Sequence, residues 1–392
     1  MPKFAVIFEG SPFDRKGLFN AVHNRVKHLM ASGKCEVDVF CVHSKDNSFT
    51  RKVRHTPEVQ NVNHLIIDGI RYDLLWYRFS VLDHVTVEKL HRRPLLFRRF
   101  LDKYVSLLKG YDAVLSHSFT GGLFAYEAFR RFGVPYYASW HGSDVHTHPW
   151  RVPVILEDTV AVMENAVCNF FVSKALMEDS SKITGNAAKK VLYNGVSEDF
   201  VKFDDSRRSE LRTSYGLDAG EKVVAYVGNL SAVKNVLVLP ELFAEVATRY
   251  ALPLKFWIVG DGKQRHQLTD AFSRLSSQDF MRSVKFFGNI PAEEMPAIMN
   301  CVDVLVLPSK NEGLGMVCAE AISCGANAVG SAVGGIAEVI GNENVVPHGE
   351  NFVNGMAEKI ACMLSSEVKQ DLPASIDWSK TASAELETIL SA

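Results

Sequence analysis

The residues best suited to chemistry lie in one loop and the helix start that follows it, Asn311–Ala321. The loop comes after an apolar run, Val304–Leu307, which predicts a buried strand, and it contains Gly313 and Gly315. Backbone N–H groups at a helix start have no partner within the helix, and the helix dipole there favours an anion. Glycine lets the backbone approach such a ligand closely. We therefore predict a phosphate site made by the amides of this loop.

Two carboxylates, Glu312 and Glu320, accompany the predicted phosphate site. A carboxylate that pointed at a phosphate would repel it, so both are expected to accept hydrogen bonds from hydroxyl groups. Glu312, in the loop, can meet a sugar ring, whereas Glu320, about two turns into the helix, can reach a ribose diol. The alternative is that both are ordinary acids at a helix start, stabilised there by the dipole.

Lys234 is the predicted cation of the site. It follows a strand predicted over Val223–Val227, which ends at Gly228 and Asn229, and a helix is predicted from about Leu237. A lysine at the carboxyl end of a strand, beside a glycine, can neutralise a diphosphate. A single loop lysine is more often only solvated, so this prediction depends on the two glutamates.

His141 and Asp144 follow another predicted strand, Tyr136–Ser139, with Gly142 between them. A histidine at the carboxyl end of a strand can make a polar contact with a ligand. In the other interpretation the segment is a hydrogen-bonded turn in which Asp144 caps the next helix. The two interpretations are compatible.

Three glycine or asparagine positions lie in further loops at strand ends. Gly17 begins a predicted helix after the first strand, where its amide could face the far side of a diphosphate. Gly262 and Asn289 follow the predicted strands Lys255–Val259 and Val284–Phe287. Both loops are predicted primarily as turns, and their position also makes them candidates for a nucleobase and ribose pocket.

Short apolar runs alternate with amphipathic segments along the chain, which predicts an α/β protein with two doubly wound parallel sheets. The other predicted strands are Phe4–Phe8, Val37–Val42, Ala113–Ser116, Phe170–Val172 and Ala326–Gly330. The predicted helices are Leu18–Ala31, Gly122–Phe132, Leu237–Tyr250, Gln264–Leu275, Pro296–Asn300 and Val317–Ser323. We place one domain at 1–197, a second at 198–372, and a helix in 373–392 that packs back on the first domain.

Composition restricts the class of protein. A chain of 392 residues normally forms two domains, and a net charge of −2 predicts no nucleic-acid partner. The seven cysteines include no CxxC pair, so neither a zinc site nor a disulfide framework is expected. The first residues predict a strand and a loop rather than a signal peptide, and no apolar run is long enough to span a bilayer. We expect a cytoplasmic protein.

Several motifs of other enzyme classes are missing. The sequence has no Asp-x-Asp pair for a metal-held diphosphate, no Gly-x4-Gly-Lys-[Ser/Thr] loop and no Gly-x-Ser-x-Gly turn. It also lacks Gly-x-Gly-x-x-Gly after the first strand. These absences argue against an ATPase, a hydrolase and a dehydrogenase, and they predict no metal and no cofactor.

Together the motifs resemble the retaining glycosyltransferases of family 4, over nearly the whole chain and most specifically over 228–338. The matching elements are the Glu-x7-Glu pair Glu312 and Glu320, the glycine and lysine Gly228 and Lys234, the His-Gly-x-Asp segment 141–144, the crossover 191–196 and the turn Gly334–Glu338. The resemblance implies the GT-B fold, in which two Rossmann-like domains face each other across a cleft. The first domain would bind the acceptor and the second the nucleotide sugar.

The resemblance also implies roles for the site residues. Glu320 would hold the ribose, Glu312 the transferred sugar and Lys234 the diphosphate, while His141 would contact the sugar from the acceptor domain. Of these, Glu312, His141 and Lys234 form the implied catalytic set. The implied donor-binding residues are Gly17, Gly228, Asn229, Lys234, Gly262, Asn289, Glu312, Gly313, Leu314, Gly315, Met316 and Glu320, with Asp144 on the acceptor side.

One departure from the family pattern affects the phosphate site. Asn229 stands where the family usually has an arginine that contacts the diphosphate together with Lys234. We expect a retaining, metal-independent transfer from a UDP-sugar or GDP-sugar to a glycan or lipid-linked acceptor, in polysaccharide or glycolipid synthesis. The alternatives are a sugar-nucleotide epimerase, a phosphorylase, or a nucleotide-sugar-binding subunit with weakened catalysis, which the loss of one charge at Asn229 would favour.

A basic amphipathic stretch, Lys89–Lys103, lies in the more positive half of the chain. Residues 1–200 contain 26 Lys and Arg against 21 Asp and Glu, whereas the remainder contains 17 against 24. Arginines among leucines and phenylalanines could rest on anionic lipid at the inner face of the cytoplasmic membrane. The alternative is a helix whose apolar face packs in the protein while the arginines Arg92, Arg93, Arg98 and Arg99 are solvated.

Overall fold

A computed structural model describes residues 1–13, 17–46, 62–79, 81–88, 90, 92–93, 96–250, 253–275, 278–366 and 369–392. These residues form two compact units. The first unit contains Met1–Asn194 and Trp378–Ala392, and the second contains Gly195–Asp377.

The described residues of the first unit form an eight-stranded sheet in the order β3-β4-β2-β1-β5-β6-β7-β8. Its strands are β1 (Lys3–Glu9), β2 (Glu36–Asp46), β3 (His64–Ile67), β4 (Ile70–Phe79), β5 (Ala113–His117), β6 (Tyr136–Trp140), β7 (Cys168–Phe171) and β8 (Lys189–Val191). Its helices before the second unit are α1 (Leu18–Ala31), α2 (Val81–Glu88), α3 (Phe97–Tyr104), α4 (Ser118–Phe132), α5 (Ser143–His146), α6 (Pro153–Asn165) and α7 (Lys174–Asp179). β3 is antiparallel to β4, and the other pairs are parallel.

The second unit contains a six-stranded parallel sheet in the order β11-β10-β9-β12-β13-β14. Its strands are β9 (Lys222–Val227), β10 (Leu254–Val259), β11 (Val284–Gly288), β12 (Val304–Leu307), β13 (Asn327–Ser331) and β14 (Val345–Val346). Its helices are α8 (Asp205–Ser214), α9 (Leu239–Arg249), α10 (Arg265–Leu275), α11 (Gln278–Ser283), α12 (Met295–Cys301), α13 (Met316–Ser323), α14 (Ile336–Ile340) and α15 (Phe352–Ser365). The strand order reverses between β9 and β12, which is where ligands bind in doubly wound sheets.

The central strands are buried on both faces, as parallel strands covered by helices must be. In β1 every residue of the run Phe4–Phe8 is at most 1% exposed, and in β12 the same holds for Val304–Leu307. The prediction of two doubly wound parallel α/β sheets is confirmed. Strands β3, β4, β8 and β14 were not predicted, and the strand predicted at Phe170–Val172 is β7, which begins two residues earlier and ends one residue earlier.

Helix α4 begins four residues earlier than predicted because its two glycines are packing positions and not helix breakers. A Cβ on Gly121 would lie 2.4 Å from the carbonyl oxygen of Ile7, and one on Gly122 would lie 2.8 Å from a methyl group of Val162. The absence of side chains therefore lets α4 lie directly on β1 and α6. Glycine inside a helix lowers its intrinsic stability, which is why the pattern predicted a later start.

The C-terminal helix α16 (Trp378–Leu390) belongs to the first unit. Its buried residues Ala382, Leu386 and Ile389 join the hydrophobic core that contains Val22 and Val26 of α1. The Tyr137 hydroxyl of β6 donates a hydrogen bond to the carbonyl oxygen of Ile389, 3.4 Å away. Residues 195–377 of the second unit are therefore inserted, along the chain, between two parts of the first.

Candidate functional site

In the second unit the loops after β9 and β12 meet at the point where the strand order reverses. The Lys234 ammonium forms an ion pair with the Glu312 carboxylate. The Ser309 hydroxyl donates to the same carboxylate oxygen over 3.1 Å. The backbone is also joined, because the Lys310 N–H donates to the carbonyl oxygen of Val233 over 2.8 Å. Lys234 and Glu312, predicted separately as phosphate and sugar ligands, are thus direct neighbours.

A glycine turn after β13 supports the Glu312 loop from behind. Gly334 has φ +52°, and a Cβ there would lie 1.9 Å from the carbonyl oxygen of Glu312. The Gly335 N–H donates to the carbonyl oxygen of Gly313 over 3.1 Å. The sequence pattern marked this turn but not its partner, which is the backbone of the loop that carries Glu312.

The segment Ser309–Glu312 is held by two further side chains. The Ser331 hydroxyl donates to the carbonyl oxygen of Ser309, and Nε2 of His348 lies 2.9 Å from the same oxygen. Neither side chain was predicted, because Ser331 ends a strand and His348 lies in an ordinary loop. Both act on the backbone and so fix the direction in which the loop leaves β12.

Helix α13 begins at Met316, directly after Gly315, which adopts the left-handed conformation with φ +83°. A Cβ on Gly315 would lie 3.2 Å from a side-chain carbon of Ile336, so the position is both conformationally and sterically suited to glycine. Among the described residues, the amides of Gly315 and Met316 donate no backbone hydrogen bond. Both N–H groups can donate to an anion, and the phosphate site predicted on them stays a prediction. Leu314 is buried beneath them.

Glu320 lies on α13 and is partly buried. Burial raises the pKa of its carboxyl group to about 7. No hydrogen bond to this carboxylate is formed within the described part of the chain. A carboxylate without such donors can accept hydrogen bonds from a diol, and the ribose role implied by the sequence stays a prediction.

Asn229 and Gly262 lie in the loops that follow β9 and β10, and hydrogen bonds join these two loops. The Leu230 N–H donates to the carbonyl oxygen of Asp261 over 3.0 Å, and the Gly228 N–H donates to that of Val259 over 2.9 Å. A Cβ on Gly262 would lie 2.3 Å from the Asn229 side-chain oxygen. The Asn229 carboxamide therefore packs against the backbone of the next loop, and Gly262 is required for that contact.

Asn289 is exposed at the end of β11, next to the loop that contains Gly262. The Gly260 N–H donates to the carbonyl oxygen of Gly288 over 2.7 Å, which joins the two loops. The guanidinium of Arg265, at the start of α10, lies 5.0 Å from the centre of the Phe286 ring. Arg265 was not predicted, and it adds a cation to the edge that was assigned to the base and ribose.

In the first unit His141 follows β6 and faces a second histidine. Nδ1 of His117 and Nε2 of His141 are 3.1 Å apart. Burial and the nearby Arg25 lower the pKa of His141 to about 3. His141 is therefore neutral near pH 7, and it can donate or accept a hydrogen bond without carrying a charge.

Asp144 forms the hydrogen-bonded turn that the second interpretation expected, although Gly142 and not Asp144 is the residue at the N-terminal cap of the helix. It lies within α5, and its carboxylate accepts from the backbone N–H of His141 at 3.0 Å and of Gly142 at 2.8 Å. Burial raises the pKa of Asp144 to about 6. The side chain thus closes the turn that carries His141, and its role is to shape that turn.

Gly17 precedes α1 as the residue at its N-terminal cap, with φ +47°. Nothing lies within 4 Å of a Cβ built on it, so it is exposed at the helix start. The neighbouring residues Asp14, Arg15 and Lys16 of the predicted loop lie outside the described residues. The role predicted for Gly17 stays a prediction.

Comparison with known proteins decides the family. The family model described as glycosyl transferases group 1 matches residues 207–381, and the one described as glycosyl transferase 4-like domain matches residues 17–195. The chain belongs to the family 4 glycosyltransferases. The resemblance found in the sequence is thereby confirmed for both halves.

Relatives of this glycosyltransferase match over parts of their length. An uncharacterized glycosyltransferase of Methanocaldococcus jannaschii is 31% identical over 176 residues, 44% of each chain. The N-acetyl-alpha-D-glucosaminyl L-malate synthase of Bacillus anthracis is 29% identical over 171 residues, 43% of this chain and 42% of that protein. The chain thus matches less than half the length of these two relatives.

This glycosyltransferase is similar along nearly its whole length to a protein of solved structure. The Anabaena protein HepE in complex with UDP-glucose has a TM-score of 0.68 and 19% identity, covering 99% of this chain and 100% of that one. The predicted GT-B fold is confirmed. At this identity the likeness establishes the fold and leaves the substrate open.

Within the described residues, no group of three or more His, Cys, Asp or Glu side chains is arranged to hold a metal ion. None of the described helices combines the length and the apolar character that a membrane span requires.

Proposed function

We propose that this chain transfers a sugar, with retention of configuration and without a metal ion, from a UDP-sugar or GDP-sugar to a glycan or lipid-linked acceptor. The observation that carries the proposal is the convergence of Lys234, Glu312 and the start of α13 where the strand order reverses. This convergence supplies a cation, unpaired amides and a hydroxyl acceptor within one short stretch of protein surface.

Electrostatic stabilisation of the departing diphosphate is the main chemical task of such a transfer. Lys234 provides a full positive charge, and the amides of Gly315 and Met316 provide fixed donors at the positive end of a helix dipole. In the proposal the diphosphate takes the place of Glu312 as the partner of Lys234. Glu312 then becomes free to accept hydrogen bonds from the hydroxyl groups of the transferred sugar.

The nucleoside of the donor is assigned to the neighbouring edge of the same sheet. Glu320 would accept from both ribose hydroxyls, which favours its charged form over the neutral form that burial favours. Gly262 and Asn289 would line the base. A UDP-sugar is supported by HepE, whose structure is described as a complex with UDP-glucose.

His141 is assigned to the transferred sugar as an uncharged hydrogen-bonding group. Its lowered pKa favours this role over that of a charged acid. No carboxylate is assigned as a nucleophile. The acceptor would therefore attack on the face from which the diphosphate leaves, and the leaving phosphate oxygen would take the acceptor proton. Asp144 supports this role by closing the turn below the ring.

We propose that the acceptor is presented at the inner face of the cytoplasmic membrane. Arg92, Arg98 and Arg99 are exposed, and so are Leu82 at 66%, Leu90 at 60% and Leu96 at 41%. Exposed leucines beside exposed arginines suit an anionic lipid surface. Phe100 packs inside, as the alternative interpretation expected. Lys89, His91, Pro94 and Leu95 lie outside the described residues.

The membrane assignment has its own test. The unmodified protein should float with vesicles that contain anionic lipid and not with neutral vesicles. Changing Arg92, Arg98 and Arg99 to Gln should abolish this binding, whereas Arg93→Gln should matter less because Arg93 is paired with Asp158. Absence of vesicle binding by the unmodified protein would leave a water-soluble glycan as the acceptor.

The donor assignment is tested by thermal unfolding with UDP, GDP, ADP and their common sugar conjugates, each in EDTA. A ligand at 100 times its dissociation constant adds about 2.7 kcal/mol of stability, which gives a clear shift in melting temperature. We expect a shift with one nucleotide family that is abolished by Glu320→Ala. No shift with any nucleotide would contradict the proposal.

The reaction type is tested by the products formed from the stabilising donor. Transfer requires an acceptor and releases the nucleoside diphosphate, and the new bond should keep the anomeric configuration of the donor. Conversion of the donor without an acceptor would identify an epimerase, and a need for a glycosyl phosphate would identify a phosphorylase. Binding without turnover would favour the weakened subunit.

A further inference from the structure

An ion pair that the donor site does not use is buried in the first unit. Nε of Arg25 on α1 lies 3.2 Å from the Glu385 carboxylate on α16, and the two side chains are 2% and 0% exposed. A buried ion pair is seldom more stabilising than a well-packed apolar pair of the same volume. Packing alone therefore does not explain why two charges occupy this position.

The Arg25 side chain continues from this pair to the sheet below His141. Its Nη1 donates to the Ser139 hydroxyl over 2.8 Å. Ser139 is the direct neighbour of His117 in the pairing of β5 with β6, and it lies two residues before His141. The guanidinium is thus bonded to the strand from which the His141 turn leaves.

The two histidines constrain each other. In a neutral pair 3.1 Å apart, one ring nitrogen must donate and the other must accept, so the tautomer of His117 fixes the tautomer of His141. Burial and the charge of Arg25 lower the pKa of both rings. The groups around His141 are His117 on β5, Arg25 on α1 and Asp144 in its own turn. Glu385 on α16 pairs with Arg25.

We propose that Arg25 and His117 are positioning residues that keep the His141 ring neutral and in a single tautomer. Glu385, delivered by the C-terminal helix, supplies the counter-charge that lets Arg25 stay buried beside the two rings. The contact with His117 uses Nε2 of His141, which leaves Nδ1 for a hydroxyl group of a ligand. The consequence for sugar transfer rests on the proposed function, but the state of the ring does not.

The test is ¹⁵N NMR of labelled histidines, whose signals report both tautomer and charge, between about pH 5 and pH 8. His141→Gln assigns the signals. The double variant Arg25→Met/Glu385→Met removes both charges at similar volume. His28→Gln on the same helix is the matched control, because the His28 ring bonds to the carbonyl oxygen of Asn24 and not to this network.

We expect His141 in the unmodified protein and in His28→Gln to show one neutral tautomer that does not change across this range. In the double variant the ring remains buried, so its signals should begin to move only towards the acid end of this range, and they should show a mixture of tautomers. Signals identical to those of the unmodified protein would overturn the role of Arg25. His141 signals that titrate in the unmodified protein would overturn the whole proposal.

A second variant keeps the proposal testable if the double variant does not fold. His117→Phe retains a ring of similar size and removes the nitrogen that faces His141. A mixture of His141 tautomers is expected, and a single unchanged tautomer would contradict the proposal. These spectra need no sugar substrate, so a failure of nucleotide binding with intact His141 signals would count against the proposed function alone.

Discussion

Lys234 and Glu312, 78 residues apart in the chain, share one ion pair at the point where the strand order of the second unit reverses. The pair joins the cation proposed for the diphosphate to the carboxylate proposed for the sugar. Each side chain therefore holds the other in place. A change at either residue should affect both substrate groups.

Lys234→Ala should lower kcat/KM by about 10²- to 10³-fold, the usual effect of losing a donor that stabilises developing negative charge. It should also weaken nucleoside diphosphate binding, because a charge-assisted hydrogen bond is lost. The measurements are steady-state kinetics and calorimetric titration. Lys310→Ala is the control, since Lys310 is exposed in the adjoining loop and is bonded there through its backbone. Equal losses for the two variants would contradict the assignment.

Glu320 should make stability fall as the pH rises. Burial raises the pKa of its carboxyl group from 4.5 to about 7, so the folded state holds this proton more tightly than the unfolded state. The protonated carboxyl group contributes at most about 3 kcal/mol to the free energy of unfolding. This contribution is complete below pH 4.5 and is lost as the pH rises to about 7. Glu320→Gln should remove this dependence in urea unfolding measured across that range.

The same carboxyl group should couple nucleotide binding to pH. Ribose hydroxyls donate to the ionised form, so the affinity for the stabilising nucleotide should increase as the pH rises through about 7. Glu293→Gln, an exposed change on the same unit, should leave both dependences intact. An affinity that falls over this range in the unmodified protein would exclude the ribose role.

Gly334→Ala should destabilise the second unit and disrupt the donor site together. A left-handed alanine costs about 1 kcal/mol or slightly more, and here the new Cβ would also overlap the carbonyl oxygen of Glu312. Gly220→Ala is matched for backbone, with φ +84° and nothing within 4 Å. We expect about 1 kcal/mol for Gly220→Ala and above about 3 kcal/mol for Gly334→Ala in urea unfolding. Similar losses of stability for both variants would show that the loop carrying Glu312 shifts easily to accommodate the new Cβ.

Asn229→Arg should tighten nucleoside diphosphate binding by about tenfold, if the new guanidinium adds one charge-assisted hydrogen bond to phosphate. The change restores the residue that the family usually has beside Lys234. Binding of the matching nucleoside without phosphates should not change. If the affinity for the nucleoside increases as much as the affinity for the nucleoside diphosphate, the added charge does not lie at the phosphates.

The sequence was sufficient to place residues whose position depends only on their own loop. Glu312, Gly315 and Lys234 each follow a strongly apolar strand and precede a helix, so their positions at a sheet edge could be predicted from periodicity and turn residues. The strand order that makes Lys234 and Glu312 neighbours required the structure. Their pairing depends on β9 and β12 being adjacent, although two strands lie between them in the chain.

Residues that act on distant backbone could not be found in this way. His117 directly follows the predicted strand Ala113–Ser116, and like Ser331 and His348 it has no local pattern that separates it from ordinary strand and loop residues. Gly334 carried a recognisable turn pattern, but its contact is with the carbonyl oxygen of Glu312. Such roles exist only once two remote segments pack together.

The position of α16 has a consequence for biosynthesis. Ala382, Leu386 and Ile389 complete a core whose other residues come from the first 192 positions of the chain. During translation this core therefore remains incomplete while residues 195–377 leave the ribosome and form a compact unit of their own. We expect nascent chains arrested before residue 378 to expose the α1 residues that α16 covers in the folded protein. Chaperones should bind this protein most strongly at that stage.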